Sequence, residues 1–317
     1  MKKMAWKVLI NASYMQREVK RFKKFFEEND IDASMSGISG KLGEEELMKI
    51  ISEYDGVVSG DDAFTKRVLD KAKKLKVIAK WGTGIDSIDK EYAEKLGIRV
   101  LNTPDAFTEP VSDSVLAFIL CFARNVLRSN DDIKNGKWDK IMGHSLDEAT
   151  LGIIGLGDCG LAVARKASAF NMKILGNDIR EIPEEVLKKY GVEFADKERI
   201  YRECDYISLN TDLNESSHHL INLETFKKMK KSAVVVNTSR GAVIDNAALV
   251  EALENGIIAG AALDVFEKEP LPIDSKLKKF ENCIVSPHNA NSSRKYWDRV
   301  HDSTLQNLLE GLKSGRR

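Results

Sequence analysis

Leu151-Gly-Ile-Ile-Gly-Leu-Gly-Asp-Cys-Gly160 is an aliphatic run that ends in Gly155-x-Gly157-x-x-Gly160, with an amphipathic segment over residues 161–170 behind it. Glycines at this spacing say little alone. Their weight here comes from sitting between a predicted strand and a predicted helix. Gly155 permits the tight turn, Gly157 lets the backbone approach a pyrophosphate, and Gly160 lets helix and strand pack closely. The helix N-terminus, which includes Asp158 and Cys159, offers unpaired N–H groups to phosphates. A second predicted strand, residues 173–177, ends at Asp178, eighteen residues past Gly160. A carboxylate there accepts the ribose hydroxyls of an adenosine and repels a 2′-phosphate, so the pattern predicts NAD(H) over NADP(H). Arg180 is the neighbour that tempers that preference. The plain alternative is a glycine turn that binds nothing.

Outward from this loop, short apolar runs alternate with amphipathic stretches, the pattern of parallel sheets with crossover helices. Predicted strands cover residues 7–11, 32–36, 56–60, 77–81 and 99–102 before the loop. After 173–177 they cover 192–194, 206–210, 233–238, 259–265 and 284–286. Stripes such as Met15, Val19, Phe22 and Phe26 read as core-facing helix sides. Beyond Asn102-Thr103-Pro104, where proline disfavours helix, Val111, Val115, Phe118, Ile119, Phe122 and Val126 predict one long apolar helix. Residues 129–149, polar around a lone Trp138, predict an arm or loop over a partner surface. The final segment, residues 292–312, places Trp297, Val300, Leu305, Leu308, Leu309 and Leu312 on one helical face with no strand after it. It is expected to pack on the N-terminal lobe.

The chain has 317 residues, room for two domains of about 150. Forty-nine basic residues against forty-nine acidic ones leave no net charge. That balance excludes binding nucleic acid or an anionic membrane by bulk electrostatics. Cys121, Cys159, Cys204 and Cys283 show no paired spacing and read as reduced thiols. The histidines (His144, His218, His219, His288, His301) spell no metal site. The apolar run over residues 115–123 is far short of the ~20 that a membrane span needs. Met1-Lys2-Lys3 is followed only by Val8-Leu9-Ile10, too short for a signal-peptide core. A cytoplasmic protein is expected.

Three polar residues end apolar runs in the C-terminal half. Arg240 follows Val234-Val-Val-Asn-Thr-Ser, Asp264 and Glu269 follow Gly260-Ala-Ala-Leu, and His288 follows Ile284-Val-Ser-Pro. Ligands of open α/β sheets bind at the carboxyl ends of strands. An arginine, an acid and a histidine on that edge could clamp a carboxylate and move a proton. Each alone is more often a salt-bridge partner or a packed side chain, but together with a dinucleotide loop they point to catalysis.

The ordered motifs GTGIDSID (residues 82–89), NTP (102–104), GLGDCG with Asp178, NTSRGAVID (237–245), ALDVFEKEPLP (262–272) and SPH (286–288) span nearly the whole chain. They resemble the D-isomer specific 2-hydroxyacid dehydrogenase family, which includes phosphoglycerate, D-lactate, glycerate and hydroxypyruvate dehydrogenases. The resemblance implies two Rossmann-like, doubly wound parallel-sheet α/β domains with a cleft between them. Residues 1–101 plus 289–317 would form a discontinuous substrate domain, and residues 102–288 an NAD-binding domain. It implies NAD as cofactor, no metal, a small 2-hydroxy or 2-keto acid as substrate, and a homodimer through the NAD domain.

Carried over by position, Arg240 grips the substrate carboxylate, His288 is the acid/base, and Glu269 hydrogen-bonds His288 and favours its protonated form. Thr83, Thr211, Thr238, Ser239 and Asp264 match cofactor-contacting positions, with Asp264 at the nicotinamide end. The backbone of Lys80, Trp81 and Gly82 matches the segment facing the substrate. The chain departs from the family pattern at Ala290 and Asn291, at Asn210 and Asp212, and at Asp158, where arginine is usual. The loop Ser59-Gly60-Asp61-Asp62 is acidic where phosphoglycerate dehydrogenases carry arginines, which favours an uncharged or cationic substrate tail. Two other readings use the same scaffold, a phosphite-type dehydrogenase and an NAD(H)-sensing, corepressor-like interaction protein. Glu269 argues against formate oxidation, whose enzymes carry glutamine there.

Overall fold

The computed structural model describes residues 6–37 and 40–314, so the Met1-Lys2-Lys3 start lies outside the described residues. The chain divides into two compact units, Met1–Ala106 with Ser293–Arg317, and Phe107–Ser292. The junctions fall a few residues beyond positions 101 and 288.

Among the described residues the first unit holds five strands, β1 (Trp6–Ile10), β2 (Ile31–Met35), β3 (Gly56–Ser59), β4 (Val77–Lys80) and β5 (Arg99–Leu101). They pair in parallel in the order β2-β1-β3-β4-β5. The strand order reverses between β1 and β3, which makes that point the crevice where such sheets take ligands. One face packs Leu9, Val57 and Ile78 against Leu47, Ile51, Val68, Leu69 and Ala93 of the crossover segments. Thr65 and Asp89 cap two of the crossover helices by accepting the Val68 and Tyr92 amides. The terminal helix, Arg294–Ser314, covers the other face. It lies so close that a Cβ on Gly311 would stand 2.3 Å from the Val77 side chain.

The second unit holds β6 (Thr150–Ile154), β7 (Lys173–Asn177), β8 (Val192–Phe194), β9 (Tyr206–Leu209), β10 (Val234–Asn237), β11 (Gly260–Leu263) and β12 (Cys283–Val285). All pair in parallel, in the order β12-β11-β10-β9-β6-β7-β8. This is the 3-2-1-4-5-6 dinucleotide-binding order with one strand added. The strands read as continuous hydrophobic runs because both faces are covered. Val234 and Val236 enter one core with Val115, Ile119, Val163 and Ala164. Val235 enters the opposite core with Ile200, Phe226, Leu249 and Leu253.

One expectation needs correcting. The apolar helix does not run on to Val126. It spans Thr108–Ala123 and breaks at Asn125, whose φ of 51° is left-handed. A second helix, Val126–Lys134, leaves at 57°. Asparagine is among the few residues that tolerate this conformation, and its amide donates to the Met142 carbonyl. That helix runs to Lys134, so the expected arm or loop over residues 129–149 begins as helix, and none of the helix's residues is buried. Among the described residues no single helix is long and apolar enough to cross a membrane.

Candidate active site

The glycine loop joins β6 to the helix Asp158–Ser168. Gly155 has a φ of 96°, open to glycine and strained for other residues, and a Cβ there would meet the Asn210 carbonyl oxygen at 2.5 Å. At Gly160 the same atom would stand 1.9 Å from the Gly155 carbonyl oxygen, so helix and strand touch through backbone. Gly160→Ala must therefore push the helix off the sheet. We expect a loss of at least about 2 kcal/mol in the denaturant midpoint series, together with loss of NADH binding. Unchanged stability and binding would contradict the packing.

At Gly157 a Cβ would meet only the Arg180 guanidinium, at 3.8 Å. Gly157 is the N-cap and no side chain caps the helix, which places the start of the helix at the loop. Asp158 is exposed there and Cys159 is half-buried. Asp178, at the end of β7, accepts the Leu156 amide and the Arg180 side chain. Burial disfavours its charge, but hydrogen bonds from the Arg180 side chain and backbone and from Leu156 outweigh it and hold the carboxyl at about 2. After β9, the Asn210 amide oxygen and the Thr211 hydroxyl are buried with no hydrogen-bond partner in the protein.

On the neighbouring strands the carboxyl ends of β10, β11 and β12 carry the other polar residues. Asn237, fully buried, bonds Ser239 through Oδ1 and the Arg240 carbonyl through Nδ2. It folds the turn that presents Thr238, Ser239 and Arg240, and the Arg240 guanidinium donates to the Ser239 carbonyl at 2.9 Å. Beyond β11, the two Asp264 oxygens accept the Asn289 and Ala290 amides, each at 2.8 Å. The His288 amide donates to the Asp264 carbonyl at 2.8 Å. These bonds hold His288 at a φ of 52°, a conformation that costs a side-chain-bearing residue ~1–3 kcal/mol.

His288 Nδ1 lies 2.9 Å from Glu269 Oε2, while Glu269 Oε1 accepts the Phe266 amide at 2.9 Å. Glu267 instead faces His219, at 2.6 Å. The carboxylate is thus fixed from both sides, and the imidazole is oriented by it.

In the first unit, the carboxyl end of β4 carries Lys80, Trp81, Gly82 and Thr83. The Lys80 ammonium is buried, 3.1 Å from Asp61 and 3.2 Å from the Trp81 carbonyl. The Trp81 indole turns inward and donates to His301 Nδ1 at 2.9 Å. Thr83 bonds the Thr103 carbonyl. The two acidic residues after β3 part company. Asp62 is fully buried and accepts from Ser59, Gly60, Leu42 and Asn11, and burial pushes its carboxyl above the ordinary range. Only Asp61 remains half-exposed, and Lys80 balances it.

Residues 116–290 match the family model for the D-isomer specific 2-hydroxyacid dehydrogenase, NAD binding domain. The chain belongs to that family. It is an NAD-dependent oxidoreductase of the D-2-hydroxyacid dehydrogenase type. A glyoxylate reductase from Korarchaeum cryptofilum is 39% identical over 271 residues, 83% of this chain and 81% of that one. A D-3-phosphoglycerate dehydrogenase from Methanocaldococcus jannaschii is 42% identical over 256 residues, 80% of this chain and 48% of its own. A D-lactate dehydrogenase from Aquifex aeolicus, solved with NAD and lactic acid, superposes with a TM-score of 0.84 at 28% identity, covering 97% and 98% of the two chains.

The residues of this dehydrogenase fit the dinucleotide. The open Gly157 face, the uncapped helix start and the orphaned Thr211 hydroxyl are groups that a phosphate-bearing ligand would satisfy. One contributor, Asn237, carries only a weak signal in the sequence. A polar residue closing a valine run before Thr-Ser is a turn signal, and that is the pattern from which it could be found. Asp264 was expected at the nicotinamide end, and its bonds to the 288–290 backbone have no local signature. Ala290 departs from the family pattern yet packs buried, with its amide on Asp264.

Proposed function

We propose that this dehydrogenase interconverts a D-2-hydroxy acid and its 2-keto acid with His288 as acid/base, Glu269 as its orienting carboxylate and Arg240 as the clamp on the substrate carboxylate. The observation that carries the reading is the His288 Nδ1–Glu269 Oε2 bond of 2.9 Å on the sheet edge that also bears Arg240. Bound NAD(H) supplies the hydride donor or acceptor. The protein's own residues do the rest. Glu269 favours the imidazolium, whose Nε2 proton passes to the C2 oxygen during reduction and returns from the hydroxyl during oxidation. Arg240 presents a planar fork that matches a carboxylate and polarises the adjacent carbonyl. Gly155, Gly157, Asp158, Cys159, Gly160, Asp178, Thr211, Thr238, Ser239 and Asp264 are assigned to the cofactor, as is Thr83. The backbone of Lys80, Trp81 and Gly82 is assigned to the substrate.

The Lys80–Asp61 pair carries no net charge, which supports an uncharged substrate tail over a phosphorylated one. A panel of glyoxylate, hydroxypyruvate, pyruvate and 3-phosphohydroxypyruvate with NADH tests both claims. Absence of NADH oxidation with every 2-keto acid would remove the activity, and preference for the phosphorylated acid would remove the tail assignment.

A homodimer through the NAD-binding unit is part of the same reading. Val126, Leu127, Ile133, Trp138 and Met142 expose large apolar side chains along one stretch of that unit, Trp138 by 89%. Light scattering on the eluted protein should return twice the 35.5 kDa chain mass, and a monomer would dismiss it. Cytoplasmic residence belongs to the same reading, and four cysteines that form no disulfide support it. Fractionation of the source cells reads it, and recovery outside the cytoplasm would reject it.

A further inference from the structure

The carboxylate of Asp178 has no acceptor capacity to spare. A carboxylate offers about four lone-pair sites. Oδ1 takes the Arg180 backbone N–H at 2.9 Å and its Nε–H at 3.0 Å. Oδ2 takes the Leu156 amide at 2.8 Å and the Arg180 Nη2–H at 3.0 Å. An adenosine ribose that bonds this carboxylate must displace one of the four donors. Two are backbone amides that hold the glycine loop and the turn after β7. The other two belong to one guanidinium, whose side chain is 62% exposed while that of Asp178 is 6% exposed. What yields is therefore the Arg180 side chain. That guanidinium already lies beside the glycine loop, its Nη2 3.8 Å from where a Cβ on Gly157 would stand, with the charges of Asp158 and Asp212 nearby.

We propose that Arg180 sets how strictly this enzyme separates NAD(H) from NADP(H), acting on both cofactors in opposite directions. Ribose binding breaks the Arg180 fork on Asp178, which weakens the unphosphorylated cofactor. The displaced guanidinium stays next to the ribose pocket and meets a 2′-phosphate, offsetting the repulsion from Asp178. The inference rests on the dinucleotide reading of the glycine loop and deepens it by naming the residue that tunes its selectivity.

Fluorescence titration of the full-length protein with NADH and with NADPH, in the absence of any keto acid, tests it without turnover. In Arg180→Ala the ratio of the NADPH Kd to the NADH Kd should rise by about tenfold or more, with the NADH Kd unchanged or lower. Arg180→Lys keeps the charge but loses the fork, and its ratio should fall between. A ratio unmoved by either substitution overturns the proposal. So does an equal weakening of both cofactors, which would place Arg180 on their shared pyrophosphate. If the unsubstituted protein binds neither nucleotide, the dinucleotide reading itself fails, and that outcome is distinct from an unmoved ratio.

Discussion

His288→Ala should lower kcat for keto-acid reduction by about three orders of magnitude while leaving the NADH Kd in place. Removing the imidazole removes the proton donor, and a positioned general acid contributes on the order of 10²–10⁴ in rate. Cofactor binding should survive because the glycine loop belongs to other strands, and the backbone at residue 288 is held by Asp264 rather than by the imidazole. Single-turnover and steady-state rates, with fluorescence titration of NADH, separate the two effects. Retained turnover would end the assignment of His288. Glu269→Gln supplies the directional check. The amide leaves the ring oriented but no longer favours its charged form, so reduction should decline at a lower pH than in the unsubstituted enzyme. A pH profile that does not move would show that Glu269 acts only as a spacer.

Arg240→Ala should reduce kcat/KM by about 10³, and Arg240→Lys by about 10–100-fold. The alanine variant loses the whole bidentate contact with the substrate carboxylate. The lysine variant keeps the charge but loses the fork, and a charge-assisted hydrogen bond is worth ~1.5–3 kcal/mol. Both kcat and KM should worsen. Gripping the carboxylate binds the ground state, whereas polarising the C2 oxygen matters most as charge develops there. The turn itself should persist, because Asn237 bonds the Ser239 amide and hydroxyl and the Arg240 backbone carbonyl, not the guanidinium. An Arg240→Ala protein with normal kcat and a modestly raised KM would reduce Arg240 to a surface contact.

Much of the architecture was legible along the chain. All twelve strands of the described residues stand where alternation of apolar runs placed them, within a residue or two. Buried parallel strands must be apolar on both faces, and Val234-Val-Val shows this by feeding opposite cores with successive residues. The glycine spacing was equally readable, because Gly155 answers a tight turn and Gly160 a close approach of backbone to backbone. The break at Asn125 was not. Apolar periodicity ran through it, and only the amide bond to Met142 and the left-handed backbone reveal the turn.

The order of strands and helices, the place of the dinucleotide loop and the chemical identity of Arg240, Glu269 and His288 follow from residue type and spacing, because those signals act over a few neighbouring residues. Folding alone settled that Asp62 is an internal scaffold while Asp61 balances Lys80, that Asp264 holds the His288 backbone, and that Arg180 fills the acceptors of Asp178. Two adjacent aspartates are the same chemistry in a string of letters. Which one is desolvated, and which partner reaches it, depends on groups brought together by the packed sheet, and no local pattern carries that information.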